Sequence, residues 1–248
     1  MTPPLLKGSV MRLYLLYLGM MEPGEIPVPG YLIQTSDKIN ILVDTGWPRS
    51  FVNKPENPPG LTVVMRPEDV IHSRLAAIGL TPSEIDYVVC THLDGDHSGN
   101  HDLFQNAEFI IQKEHYELAF GGHPRFAANY ASWGHTSLRY RLIEGDVELL
   151  PGVTLIETSG HVPGHQSLLV RLPVTGNVLL AADAIMHRSM ADAATREIYI
   201  TDMDDESGIR RSTQKLADIA KNESAAFVIY GHDTEQWANL RLSPAFYD

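Results

Sequence analysis

Short apolar runs dominate the chain, and most of them read as strands. Residues 10–18, 30–35 and Ile39–Val43 are the first three, the last ending at Asp44-Thr45-Gly46. A Pro-rich stretch follows at 47–60. It carries Trp47 and Phe51 and has the length of a binding loop rather than a plain connection. Residues 67–79 switch to helical spacing, with Pro67 at the start, Val70, Ile71, Leu75 and Ile78 on the apolar side, and Gly79 at the stop position. Thr81-Pro82-Ser83-Glu84 has the cap-plus-proline signature of another helix. Asp86–Cys90 then predicts a buried strand that delivers Thr91-His92 at its carboxyl end. Residues 109–111, 150–157, 167–172, 178–181 and 226–230 read as further strands, and 208–221 as a late helix. This order predicts a layered α/β protein with helices outside two sheets. No repeat, low-complexity tract or long polar linker divides the chain, so residues 1–248 are expected to form a single domain.

Composition narrows the class. Hydrophobic residues make up 44% and charged residues 20%, ordinary for a soluble protein with a sizeable core. The formal charge of −12 argues against nucleic-acid binding, because phosphate backbones need a basic face. Cys90 is the one cysteine, so no internal disulfide framework exists and a reducing cytoplasm is the expected location. The apolar stretch at 10–18 is interrupted by Arg12 and is too short to span a bilayer. Met20-Met21-Glu22-Pro23 follows it in place of a small-residue cleavage site, so neither membrane insertion nor export is expected from it.

The stretch Thr91-His92-Leu93-Asp94-Gly95-Asp96-His97-Ser98-Gly99 places four side chains able to ligate a metal directly after a buried strand. Imidazole and carboxylate together suit zinc, iron or manganese. Asp-Gly and Ser-Gly are also ordinary turn chemistry, so no single residue here decides the matter. A two-metal site needs further ligands at other strand ends. His161 lies just past the strand ending near Thr158, Asp183 follows the run 178–182, and His232 follows Phe227–Gly231. Their shared placement at strand ends, beside small residues, is what favours a metal centre over a set of turns.

The order Asp44-Thr45-Gly46, His92 to His97, His161, Asp183, His232 resembles the five motifs of the metallo-β-lactamase superfamily, over nearly the whole chain. Within it the sequence is similar to the N-acyl homoserine lactonases, the quorum-quenching enzymes. The similar segments are Ile143-Glu144-Gly145-Asp146, Pro151-Gly152-Val153, Gly160-His161-Val162-Pro163-Gly164-His165-Gln166-Ser167-Leu168 and Tyr230-Gly231-His232-Asp233-Thr234-Glu235-Gln236. The resemblance implies an αββα sandwich, two mixed β-sheets flanked by helices. It implies two divalent ions, zinc by default, one held by His92, Asp94 and His161, the other by Asp96, His97 and His232, with Asp183 bridging. A hydroxide shared between the ions would attack a lactone carbonyl, with Asp96 shuttling the proton to the leaving alkoxide and Asp183 completing the catalytic pair. Asp44 would orient a ligand histidine, His165 would be structural, and Trp47 and Phe51 would border the substrate. Similar lactonases are often homodimers, and no nucleic-acid or membrane partner is expected.

Two positions depart from the family pattern. The family has His-x-His-x-Asp-His, whereas Asp94 stands at the second histidine position; an oxygen donor there admits iron or manganese, and the alternative is that Asp94 does not ligate and one site is weak. Many lactonases place a tyrosine three residues after the bridging aspartate, where this chain has Met186, leaving His187 or Tyr199 as substitutes. The alternatives left open are hydrolysis of another ester, a thioester or a phosphodiester, and a di-iron redox protein of the same fold. The remaining histidines, His72, His101, His115, His123 and His135, are assigned no role. The aromatic segment 118–140, with Phe120, Phe126, Tyr130 and Trp133, reads as a lid or a dimer contact.

Overall fold

Two stacked sheets take up nearly all the apolar runs. The computed structural model describes residues 10–54, 60–198 and 203–248. Its first sheet contains β1 (Val10–Glu22), β2 (Ile26–Thr35), β3 (Asn40–Val43), β4 (Thr62–Val64), β5 (Tyr87–Val89), β6 (Glu108–Gln112) and β7 (Arg139–Ile143), in the order β4-β1-β2-β3-β5-β6-β7. The second contains β8 (Val147–Leu150), β9 (Val153–Glu157), β10 (Gln166–Leu172), β11 (Gly176–Ala182) and β12 (Phe227–Tyr230), in the order β12-β11-β10-β9-β8. Both sheets are mixed. Pairing is antiparallel through β1-β2-β3 and parallel through β3-β5-β6-β7, while in the second sheet only β11-β12 is parallel. Among the described residues five helices complete the fold: α1 (Ile71–Ala76), α2 (Lys113–Phe120), α3 (Tyr130–Trp133), α4 (Glu206–Asn222) and α5 (Thr234–Trp237).

Three apolar layers follow from this arrangement. Leu13, Leu15, Ile33, Ile41, Val89 and Ile110 of the first sheet meet Leu155, Leu168, Val170 and Leu180 of the second in the central core. The outer face of the first sheet packs on Leu75 of α1 and Ala119 of α2. The outer face of the second packs on Leu216 and Ile219 of α4. This is the expected αββα sandwich. It also explains why β5 reads as an unbroken apolar run: a parallel central strand is covered on both faces.

Some elements differ from the sequence-based expectation. The helix expected over 67–79 is a 3₁₀ turn at Pro67–Asp69, an extended Val70 and a six-residue α1. The Asp69 carboxylate accepts the Arg66 N–H at 2.9 Å and closes the first turn on itself, so the helix restarts after Val70. Residues 82–84 form only a 3₁₀ turn, capped by Glu84 accepting from Thr81 N–H at 2.9 Å. The run 150–157 is split at Pro151-Gly152, where Gly152 takes φ +88° and turns β8 into β9. Among the described residues, no helix is long and apolar enough to cross a membrane.

The topology brings chemistry to one rim. Since β3 and β5 are parallel neighbours, Asp44 and Thr91-His92 leave the first sheet side by side. By the same logic β11 and β12 release Asp183 and Gly231-His232 together. Gln166, at the start of β10, stitches the two rims: its backbone N–H donates to Thr91 O at 3.0 Å and its amide to Cys90 O at 2.8 Å.

Candidate metal centre

At that rim two groups of ligand atoms face one another. His92, His161 and Asp183 form one; Asp96, His97 and His232 form the other. Within each, the ligand atoms all lie within 4.8 Å of one another. The Asp183 carboxylate lies between them. Its Oδ2 is 3.9 Å from His92 Nε2 and 3.6 Å from His161 Nε2, while its Oδ1 is 3.4 Å from His97 Nε2 and 3.3 Å from His232 Nε2. Asp96 Oδ2 lies 3.5 Å from His97 Nε2 and 3.7 Å from His232 Nε2. Ligands of one tetrahedral ion with bonds of ~2.0–2.2 Å stand ~3.3–3.6 Å apart, so these separations suit metal coordination. They are long for hydrogen bonds.

Each of these four imidazoles has a close polar contact on its other nitrogen. His97 Nδ1 is 2.8 Å from Asp44 Oδ2, and Asp44 is itself held by Thr91 through N–H at 2.9 Å and Oγ1 at 2.7 Å. His92 Nδ1 is 3.0 Å from Thr91 Oγ1, His161 Nδ1 is 3.2 Å from Asp204 Oδ1, and His232 Nδ1 donates to Pro27 O at 2.8 Å. With Nδ1 engaged, Nε2 is left facing the centre, the usual way a support fixes a ligand's tautomer. The buried Nε2 atoms of His92 and His97 and the Oδ1 atom of Asp183 make no hydrogen bond. Orphaned buried atoms of this kind, three of them converging on one centre, fit a pair of divalent cations.

Electrostatics agree. Burial by itself would depress His97 and His232, but Asp96, Asp183 and, for His97, Asp44 outweigh it and hold both pKa values above the ordinary imidazole value. His92 is instead lowered, by burial and then by His97. Burial opposes ionisation of Asp183, yet His232, His97 and His92 keep its pKa well below the usual carboxylate range. Without ions, then, protons on His97 and His232 compensate the carboxylates, and cations would displace them.

Glycine is demanded where neighbouring strand-end loops approach. A Cβ on Gly231 would sit 2.7 Å from Ala182 O and 3.1 Å from Asp183 Oδ1. One on Gly99 would sit 2.2 Å from Pro48 N. The ring of Trp47 occupies the space a Cβ on Gly95 would need, 2.5 Å away. Trp47 is only 8% exposed, with Phe51 stacked on it at 5.6 Å. His165 is buried beside the ligands, its Nδ1 2.8 Å from Thr158 Oγ1.

Four participants were not read from the sequence. Arg125 forks onto Asp94, Nε to Oδ1 at 2.8 Å and Nη2 to Oδ2 at 2.6 Å, and its Nη2 is also 3.1 Å from His161 Nε2. Asp94 Oδ2 in turn lies 3.3 Å from His92 Nε2 and 3.2 Å from His161 Nε2. Asn129 donates to Gly95 O at 2.7 Å, so the turn 124–129 clamps the cluster loop at two points. Asp204 backs His161. His115, assigned no role from sequence, is fully buried: its Nε2 accepts Leu93 N–H at 2.9 Å and its Nδ1 donates to Pro163 O at 2.8 Å. One imidazole thereby ties together the two loops that carry His92 and His161. Burial pushes its pKa down to about 3, which keeps the ring neutral for this dual role.

The aromatics expected to form a lid or a dimer contact are partly core. Phe126 and Trp133 are buried and Phe120 packs against the same cluster, while Tyr130 is 49% exposed. Met186 borders the small pocket beside His161 and Asp183. His187 turns its Nε2 to Asp233, 3.6 Å away, and Tyr199 lies outside the described residues.

Comparisons with known proteins agree on one fold. The family model of the metallo-beta-lactamase superfamily matches residues 23–232. The N-acyl homoserine lactonase AiiA of Bacillus thuringiensis subsp. kurstaki is 34% identical over 235 residues, covering 91% of this chain and 90% of that one. The lactonase AttM of Azorhizobium caulinodans is 32% identical over 242 residues, covering 90% and 88%. Among solved structures, an N-acyl homoserine lactone hydrolase with the product N-hexanoyl-L-homoserine at its catalytic metal center is 31% identical. It matches with a TM-score of 0.84 over 96% of this chain and 100% of that one. The dizinc quorum-quenching lactonase AidC, 15% identical with a TM-score of 0.68, shares the fold.

Proposed function

The chain belongs to the metallo-β-lactamase superfamily and, within it, to the N-acyl homoserine lactonase family, and from that footing we propose that it is a metal-dependent hydrolase opening the ring of N-acyl homoserine lactones or close relatives. The observation that carries this reading is the pair of ligand groups sharing Asp183, with buried Nε2 and Oδ1 atoms that nothing in the protein satisfies. We assign His92, Asp94 and His161 to one ion, Asp96, His97 and His232 to the other, and Asp183 to both. When bound, the ions supply a water of lowered pKa and a Lewis acid for the ester carbonyl.

The protein's own contribution is placement and proton handling. Asp44 holds His97 in the tautomer that leaves Nε2 free, and Asp204 and Pro27 do the same for His161 and His232. Asp96, facing the centre, receives the proton given up by the attacking water and returns it to the leaving alkoxide. Trp47 and Phe51, stacked on each other beside the cluster loop, are assigned to border the substrate, a reading the packing of Trp47 against Gly95 supports. Met186 cannot donate a hydrogen bond, so the carbonyl help that a tyrosine gives in many lactonases has no counterpart at that position.

Four imidazole ligands favour zinc, and Asp94 widens the choice to iron or manganese. A cytoplasmic location fits the single buried Cys90, and a homodimer is in keeping with the family. The test is hydrolysis by metal-loaded protein of a panel holding N-acyl homoserine lactones of several chain lengths, a glutathione thioester and a phosphodiester. Turnover confined to the lactones is expected. Turnover of the thioester or phosphodiester alone, with two ions bound, would overturn the assignment.

A further inference from the structure

Arg125 stands where its charge matters most. Its Nη2 lies 2.6 Å from Asp94 Oδ2 and 3.1 Å from His161 Nε2, two atoms that are themselves 3.2 Å apart and that the ion assigned to His92, Asp94 and His161 would also use. The guanidinium is not reaching in from a loose loop. It belongs to the turn 124–129, whose far end is fixed by Asn129 donating to Gly95 O at 2.7 Å and to Ser98 Oγ at 3.4 Å. Arg125 and Asp94 are 15% and 16% exposed, so their pairing is largely shielded from water. Guanidinium cannot shed its charge at neutral pH, unlike an imidazole, which gives up its proton when an ion arrives. The second ligand group has a different make-up, since Asp96 there faces the imidazoles His97 and His232. The departure of Asp94 from histidine fits the same picture: a carboxylate offers the two oxygens that the guanidinium fork requires, and an imidazole does not.

We propose that Arg125 is a built-in cationic competitor for one of the two metal positions, so that the His92/Asp94/His161 position is the weaker and fills second. The inference rests on the two-ion reading above. If the guanidinium holds Asp94 and His161 about nine-tenths of the time, the competent fraction is ~0.1 and the apparent Kd rises ~10-fold.

The experiment is a titration of chelator-stripped protein with Zn²⁺ against a chromophoric chelator, comparing wild type, Arg125→Gln and Asn129→Ala, with circular dichroism confirming folding. Two equivalents are expected in wild type, the second at least tenfold weaker. Arg125→Gln should tighten that second equivalent at least tenfold and leave the first unchanged, and Asn129→Ala, which loosens the turn but keeps the cation, should tighten it less. A second equivalent no tighter in Arg125→Gln than in wild type, or equally tightened in Asn129→Ala, would overturn the competitor role. Fewer than two equivalents in every folded protein would instead overturn the two-ion reading itself. Should Arg125→Gln not fold, Arg125→Lys replaces it. Lysine keeps the charge but loses the fork, so partial tightening supports the proposal and none refutes it.

Discussion

Replacing His115 by phenylalanine removes a ring of similar size that bonds two loops at once. Leu93 N–H, at 2.9 Å, and Pro163 O, at 2.8 Å, would each lose their partner in a fully buried setting. An orphaned buried polar group costs about 1–3 kcal/mol, so the pair costs about 2–6 kcal/mol. The aromatic contact to Phe126, 5.0 Å between ring centroids, is retained, which confines the change to the two hydrogen bonds. With a slope of about 3 kcal/mol per M urea, the unfolding midpoint of metal-free protein should fall by about 0.7–2 M. His115→Asn separates the two bonds. Its amide stands where Nδ1 does and can serve Pro163 but not Leu93, so its loss should be about half as large. Because Leu93 adjoins His92 and Pro163 lies two residues beyond His161, the phenylalanine variant should also bind metal more weakly. A His115→Phe protein within about 1 kcal/mol of wild type, with the same metal affinity, would refute the claim that this ring fastens the two loops.

Asp183→Asn should bind fewer than two ions by elemental analysis and lose at least ~10–100-fold of its hydrolytic rate, since even groups that merely support ligands cost that much; full metal content would contradict its bridging position. Gly231→Ala should push the Asp183 carboxylate aside, at a cost of about 1–3 kcal/mol in thermal or urea unfolding and a weakening of metal binding, because its Cβ would meet Ala182 O and Asp183 Oδ1. Unchanged stability would show slack at that strand edge. His101, buried against Phe109, has its pKa pushed down to about 3 by burial, below the ~6.5 of an unfolded chain. The unfolded state therefore binds one more proton between those values, so stability is present above pH 6.5 and is lost as pH falls towards 3. Between pH 6 and 4, wild type should lose about 1.4 kcal/mol per pH unit more than His101→Asn does; parallel curves for the two proteins would exclude a buried neutral His101.

Much of the site could be read in advance because the ligands obey a local rule. His92, Asp183 and His232 each follow an apolar strand, and strand ends survive errors of a residue or two in their bounds. The Asp44 carboxylate was legible for the same reason, since parallel β3 and β5 deliver it next to Thr91. What was missed is recruited across space. Arg125 and Asn129 sit in a turn about thirty residues after the cluster, and no spacing connects them to Asp94 or Gly95. His115 lies on a short helix whose sequence gives no sign that the ring points inward, and Asp204 is one of several neighbouring acidic residues, with Asp202, Asp205 and Glu206, that nothing in the sequence distinguishes. Helix 67–79 failed because Asp69 folded back on Arg66, a side-chain choice that competes with the backbone periodicity. Asp94 shows the limit most clearly. Its departure from the family pattern was visible, but the cation that compensates it was not.

Incubation with N-hexanoyl homoserine lactone, followed by mass spectrometry of the product, tests the central claim most directly. Metal-loaded protein is predicted to yield one product, heavier than the substrate by a single water, to lose that activity on chelation and to regain it when Zn²⁺ or Mn²⁺ is restored. Protein holding two ions that leaves this lactone and its longer-chain relatives untouched would contradict the account.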